Sequence, residues 1–277
     1  MAIDRGWHSS ARAFPVPGRN QAGVVQVARE KLGTMKRMKK VLTLLLLCSV
    51  SVVASAESGI KLHRADVDVF DELSVIRGAG YFANYCLGCH GLKQIRYSRI
   101  GKDLKMNENQ LRDLIQFGDA KIHESVHTAM KPESAIAAFG VAPPDLSLVV
   151  RSRGADWVYS YLKGFYDDSK RPFGVNNIVA PNVAMPNVLW ELQGRQEPEY
   201  GNIDGKQEVV GLKLVTHGKM KPHEFDGAVN DLVNFLAYVG EPSVLQRVPL
   251  GKYVIAFMLL LTYLFYRLKK EYWKDID

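Results

Sequence analysis

Cysteine is scarce in this chain: three residues in 277, at positions 48, 86 and 89. Three thiols cannot build the dense disulfide framework of a small secreted scaffold. Nor can they supply a four-thiolate zinc cage. An excess of one charge is also missing from most of the chain. The formal net charge is +7, but nine of the 36 basic and two of the 29 acidic residues fall in positions 1–56, which leaves 27 of each sign in the remainder. The excess belongs to the leader and gives no support to a nucleic-acid partner. Internal repeats and low-complexity tracts are absent, which sets aside solenoids and biased linkers.

Long apolar runs number only two, one near each end. Met35-Lys36-Arg37-Met38-Lys39-Lys40 is a basic n-region, Val41 to Val53 an apolar stretch of 13 residues, and Ala54-Ser55-Ala56 a small-x-small cleavage site. Together they read as a signal peptide over 35–56, with a mature start at Glu57. Thirteen residues are short for a span, and bulky Leu47 argues against a lipid anchor on Cys48. Residues 1–34 precede a complete signal and read as an over-extended start. The second run, Val248 to Leu268, has 21 residues, enough to cross a bilayer. Lys252 near one end can snorkel. Arg267, Lys269, Lys270 and Lys274 follow directly and place the C-terminus in the cytoplasm. The expected organisation is a leader over 1–56, an exported domain over 57–247, a membrane anchor over 248–268 and a cytoplasmic tail over 269–277.

Within the exported domain lies Cys86-Leu87-Gly88-Cys89-His90. Two thiols three positions apart, followed at once by an imidazole, form the pattern for covalent attachment of one c-type haem. Each thiol can add to one haem vinyl group, and the adjacent His can bind the iron. A zinc site lacks two further ligands. A thioredoxin-like pair lacks its strand-to-helix context, because Ala79, Phe82, Ala83 and Tyr85 lead in at helical spacing. Exported thiols oxidise unless they are used. Once the leader is removed, haem attachment consumes both.

The rest of the domain predicts a mainly α, cytochrome c-type haem domain with long loops, a small β-hairpin excursion and one C-terminal transmembrane helix. Ser74 is the expected N-cap of the first helix. Asn107 to Phe117 and Asp156 to Tyr166 read as helices, the latter carrying Trp157, Tyr161, Leu162 and Phe165. Residues 118–147 read largely as loop, ending in two prolines that bar a helix there. The glycines of 194–217 suggest the hairpin. Phe225 to Val239 carries one apolar stripe, ended by Glu241-Pro242.

A second axial ligand has several candidates: Met106, Met130, Met185, Met220 and Met258, with His123, His127, His217 and His223. Met258 lies in the span, and Met106 is too near the motif to return round the haem edge. Met185 stands before Pro186 in an Asn-rich loop, where proline stiffens the chain. It is the first choice, with Met130 second. A thioether makes a closed, high-potential carrier, whereas an open face suits peroxidase or ligand-sensing chemistry.

These features sit among blocks that resemble the cytochrome c1 family, the haem subunit of the cytochrome bc1 complex, in its proteobacterial form. The blocks are Arg77-Gly78, Tyr97-Ser98-Arg99, Ala142-Pro143-Pro144-Asp145-Leu146-Ser147-Leu148, Arg171-Pro172, Asn176-Asn177 and Ala184-Met185-Pro186. The anchor and basic tail follow in the family order. The family often has an aromatic residue at the position of Ala180 and an Arg at that of Ser98. The resemblance implies thioethers on Cys86 and Cys89, iron bound by His90 and Met185, and Pro143 and Pro144 packed near the haem. Arg99, or after it Arg96, would meet a propionate. It further implies a relay of single electrons from a Rieske iron–sulfur subunit to a cytochrome c, with cytochrome b as a further partner in a dimeric complex. The haem domain would lie in the periplasm, tethered to the bacterial inner membrane, and the chain would do no catalysis alone. Asp66, Asp68, Asp71 and Glu72 are a candidate patch for a basic partner. A tethered c-type cytochrome of another oxidase or dehydrogenase is the alternative.

Overall fold

The computed structural model describes residues 61–274, apart from positions 117 and 204. The leader and its Cys48 lie outside the described residues. In chain order the elements are α1 (Glu72–Tyr85), β1 (Leu92–Arg96), α2 (Tyr97–Asp103), α3 (Glu108–Leu114), β2 (Ser125–Val126), α4 (Pro132–Phe139), α5 (Val149–Arg153), α6 (Ala155–Lys163), β3 (Phe165–Asp167), β4 (Val175–Asn177), α7 (Trp190–Gln193), β5 (Gly194–Ile203), β6 (Lys206–His217), α8 (Pro222–Gly240) and α9 (Val244–Tyr272). Nine helices thus occur among the described residues. The strands pair antiparallel as β1 with β2, β3 with β4 and β5 with β6. The expectation of a mainly α domain with a small hairpin and one terminal membrane helix holds.

The frame is the crossing of α1 and α8. Val75, Ala79, Phe82 and Ala83 recur at helical spacing on α1 and are all buried. They meet the stripe of α8 that carries Phe225, Val229, Leu232, Phe235 and Leu236. Phe82 and Phe235 pack with ring centroids 5.6 Å apart. Burying side chains of this size contributes roughly 1.5–3 kcal/mol each. Gly78 permits the approach, since a Cβ there would lie 2.0 Å from the Asp231 carbonyl oxygen. A polar network locks the crossing. Arg77 Nε donates to Asp231 Oδ2 at 2.6 Å, the Ser74 hydroxyl donates to Asp231 Oδ1 at 2.6 Å, and Asn234 Nδ2 donates to Ser74 Oγ at 2.7 Å.

Helix boundaries differ from the sequence expectations for local reasons. Asp71, not Ser74, caps α1: its carboxylate accepts the Ser74 amide at 3.1 Å. Ser74 is then free to bind Asp231. Asn107 caps α3 in a reciprocal box with Gln110, and the helix stops at Leu114 rather than Phe117. The expected loop over 118–147 contains β2 and α4. Pro132 starts α4 at its first turn, a run of alanines propagates it, and Gly140 ends it in the left-handed conformation. The helix expected to reach Tyr166 ends at Lys163 instead; Gly164 stops it and Phe165-Tyr166-Asp167 turns into β3.

The ribbon β5–β6 pairs from Gly194↔His217 to Ile203↔Lys206. A two-stranded hairpin alone is marginal, so its base is tied down. Gln196 Nε2 donates to the carbonyls of Lys163 at 2.9 Å and Phe165 at 2.8 Å. Gly194, at φ +99°, lies where a Cβ would strike the Thr216 carbonyl at 1.9 Å. Among the described residues, α9 alone is long and apolar enough to cross a membrane. Its 29 residues extend about 43 Å at 1.5 Å per residue, against a hydrocarbon core of about 30 Å. Arg267, Lys269, Lys270 and Lys274 lie at and just beyond its C-terminal end.

Candidate haem site

The Cys86–His90 turn continues the winding of α1. The Cys86 amide donates to Phe82 O at 2.9 Å, Cys89 N to Cys86 O at 3.0 Å and His90 N to Cys86 O at 2.8 Å. Residues three and four apart in such a turn share a face, so Cys89 and His90 stand beside Cys86. Cys86 is buried and Cys89 half-buried, both as free thiols. Burial, reinforced by neighbouring Cys89, pushes the Cys86 thiol up to about 12.

The His90 ring is aimed by a carbonyl. Its Nδ1 lies 2.7 Å from Pro144 O. A carbonyl only accepts, so Nδ1 carries the proton and Nε2 keeps its lone pair. Burial lowers the pKa of His90, which keeps the ring neutral. A proline pair cannot form a strand, and side chains hold this segment in place. Asp145 Oδ2 accepts Lys93 N at 2.8 Å, Asp145 Oδ1 accepts Ser147 N at 3.0 Å, and Ser147 Oγ accepts Gln94 N at 3.1 Å. The Leu146 amide donates to Gly91 O at 3.0 Å. Thr128 Oγ1 closes the turn from the other side, donating to Gly88 O at 2.8 Å. Met130 lies two residues beyond Thr128, its amide donating to Thr128 Oγ1 at 3.2 Å.

Met185 is mounted separately. Asn176 Oδ1 accepts the amides of Asn177 at 2.9 Å and Asn182 at 2.8 Å. Asn177 Oδ1 accepts those of Val179 at 2.9 Å and Ala180 at 3.2 Å. Asn177 Nδ2 donates to Tyr161 O on α6 at 2.8 Å. Arg171 donates to Asn182 O at 2.8 Å and to Asn182 Oδ1 at 3.2 Å. This explains an Asn-rich loop without regular structure: amide side chains replace the missing ladder. The loop delivers Met185 Sδ to 3.4 Å from the Tyr161 hydroxyl. Both mounts rest on α8, which packs against α1 and α6.

The structure thus places Cys86, Cys89, His90 and Pro144 together, and Met185 with Tyr161. Arg99 lies elsewhere: its Nε donates to Asp103 Oδ2 at 2.6 Å and its Nη2 to Pro242 O at 3.2 Å. Arg96 is exposed, the last residue of β1 and the residue just before α2. Three of the four acids of the candidate patch have local duties. Asp71 caps α1, Glu72 pairs with Lys105 at 2.5 Å, and Asp68 Oδ1 accepts Phe70 N at 2.9 Å. Tyr161, Asn176, Asn177 and Arg171 were visible as an aromatic helix and as sequence blocks, but their support of the Met185 loop was not.

The donor set fits one covalently held haem: two adjacent thiols, an imidazole with Nε2 free, and a thioether on a stiff loop. Short helices and side-chain-built loops round a C-x-x-C-H turn define the class, a c-type cytochrome, here carried on a membrane helix. Comparison narrows the class. The family model described as the cytochrome C1 family matches residues 62–276. A cytochrome c1 of Allochromatium vinosum is 49% identical over 238 residues, which are 84% of this chain and 97% of the relative. A protein of Nitrosomonas europaea named ammonia monooxygenase gamma subunit is 43% identical over 243 residues, 87% of this chain and 99% of its own. A mitochondrial cytochrome c1 of Neurospora crassa is 24% identical over 254 residues, covering 80% of this chain and 70% of the relative. The chain belongs to the cytochrome c1 family. It is a membrane-anchored redox carrier with one covalently bound haem c, the haem subunit of the cytochrome bc1 complex, and it passes electrons onward to cytochrome c.

Proposed function

We propose that Cys86 and Cys89 carry the thioethers and that His90 Nε2 and Met185 Sδ bind the iron. The observation that carries this is the 2.7 Å contact of His90 Nδ1 with Pro144 O, which frees the other nitrogen as a ligand. The haem, when bound, supplies a one-electron couple. The protein's part would be to hold His90 and Met185 in rigid mounts, so that little has to reorganise on transfer. The chain makes and breaks no bonds itself. The electron donor is the Rieske iron–sulfur subunit, the acceptor is a cytochrome c, and cytochrome b is a further partner in a dimeric complex. The leader occupies 1–56, the haem domain of 57–247 faces the periplasm, and the anchor of 248–268 leaves the tail of 269–277 in the cytoplasm.

Met185→Leu tests the ligand set. The expected result is a haem still attached, a lost thioether-to-iron spectral signature and a much lower potential. Survival of the native ligation would move the second ligand to another residue, Met130 first. The name of the Nitrosomonas relative, which assigns it to an ammonia monooxygenase, favours a second reading, a tethered c-type cytochrome of another oxidase or dehydrogenase. Isolation of the membrane complex with a subunit count decides between them: cytochrome b and an iron–sulfur protein at equal stoichiometry support the first reading.

A further inference from the structure

The hydroxyl of Tyr161 lies 3.4 Å from Met185 Sδ, and the ring behind it packs against two aromatic neighbours. Trp157 stacks on it with centroids 5.0 Å apart and planes 10° from parallel. Phe165 meets it edge-on at 5.3 Å and 72°. Its own carbonyl is tied through Asn177 to the loop that carries Met185. Donor and acceptor therefore share one frame, and their contact does not depend on a free side-chain rotation.

We propose that Tyr161 is a positioning residue for the axial thioether, its hydroxyl donating to one lone pair of Met185 Sδ and leaving the other to face the iron. This rests on the assignment of Met185 made above. A thioether sulfur has no hydrogen to give, so the phenol must be the donor. A tyrosine phenol ordinarily titrates at about 10, so it keeps its proton at neutral pH. A hydrogen bond on the sulfur draws electron density from it. Ferric iron demands more donation than ferrous, so the bond favours the reduced state. Outer-shell hydrogen bonding is a recognised lever on a metal's potential.

The test uses the full chain in its isolated membrane complex. Tyr161→Phe keeps the aromatic packing and removes the donor. The expected result is retained haem, a retained thioether-to-ferric band and a lower potential. A bond of ordinary net strength gives about a fivefold change in the reduced-to-oxidised ratio, equivalent to about 40 mV at 59 mV per tenfold for one electron. A retained band with an unchanged potential overturns the proposal and leaves the Met185 assignment standing. If the native protein lacks the band, or Met185→Leu fails to remove it, the assignment fails and the proposal with it. Should Tyr161→Phe not assemble, 3-fluorotyrosine at position 161 keeps the shape and strengthens the donor. Its expected shift is opposite in sign, to higher potential, and no shift would refute the role.

Discussion

Tyr238 shows how a single buried hydroxyl ties the haem domain's stability to pH. It has no measurable exposure, and its hydroxyl donates to Asp103 Oδ2 at 3.0 Å. Burial first, then the charge of Asp103, raises its pKa well above the ordinary tyrosine value. A group whose folded pKa is raised binds its proton more tightly in the native state. Its contribution is complete below about pH 10, the unfolded value, and is lost as pH rises beyond that point. Alkaline unfolding of the haem-loaded protein is expected to steepen above pH 10, and Tyr238→Phe is expected to flatten that limb. Denaturant midpoints between pH 8 and 11 measure it. Asp145→Ala acts at the same scale: it strands the amide of Ser147, which is buried, at a cost of about 1–3 kcal/mol, and leaves the exposed Lys93 amide to water. Lower thermal stability with haem still attached is the expected outcome. The Cys86–His90 motif could be read from sequence because its chemistry is local and its spacing fixed. Asp145 and Tyr161 could not, because their roles depend on partners 52 and 24 residues away.

Among the elements, the α1–α8 crossing is the most sensitive joint. Gly78→Ala would place a Cβ against the Asp231 carbonyl at 2.0 Å. Overpacking of this kind costs typically about 1–3 kcal/mol and sometimes more. Gly80→Ala is the matched control, since its Cβ meets only Leu114 Cδ1 at 3.6 Å. It is expected to be neutral or mildly stabilising through helix propensity. Thermal melts of the two variants compare them directly, and equal loss from both would contradict the crossing as the cause. The apolar periodicity of α1 and α8 was readable, because a buried helical stripe repeats every three to four residues. Element ends were less so. Ser74 satisfied the rule for an N-cap, but Asp71 stood one turn earlier and took the role, and Gly164 cut short a helix whose aromatic pattern continued into β3. The Asn-rich loop over 176–187 read as irregular, which it is; its rigidity comes from side-chain amides that follow no periodicity.

At the scale of the whole molecule, the haem domain passes into its anchor at Gly240–Ser243. Glu241 binds Arg151 on α5 at 2.9 Å and Arg247 on α9 at 2.6 Å, joining domain and anchor through one carboxylate. Deletion of residues 244–277 is expected to release a haem-bearing protein into the soluble fraction, measured by haem staining after fractionation. A C-terminal reporter active only in the cytoplasm tests the orientation proposed from Arg267, Lys269, Lys270 and Lys274 and is expected to be active.

The network that joins Arg77 to Asp231 also bears on how the chain reaches this state. Its partners are 154 residues apart, so α1 cannot complete its packing until almost the entire domain has been made. Contacts that close so late are slow to form, and the ordering entropy of such a long loop must be met before they return anything. The winding of the Cys86–His90 turn, by contrast, is local to the end of α1, and Thr128 and Pro144 close it from 40 and 54 residues away. By separation along the chain, the winding of that turn forms ahead of the α1–α8 crossing, which closes last.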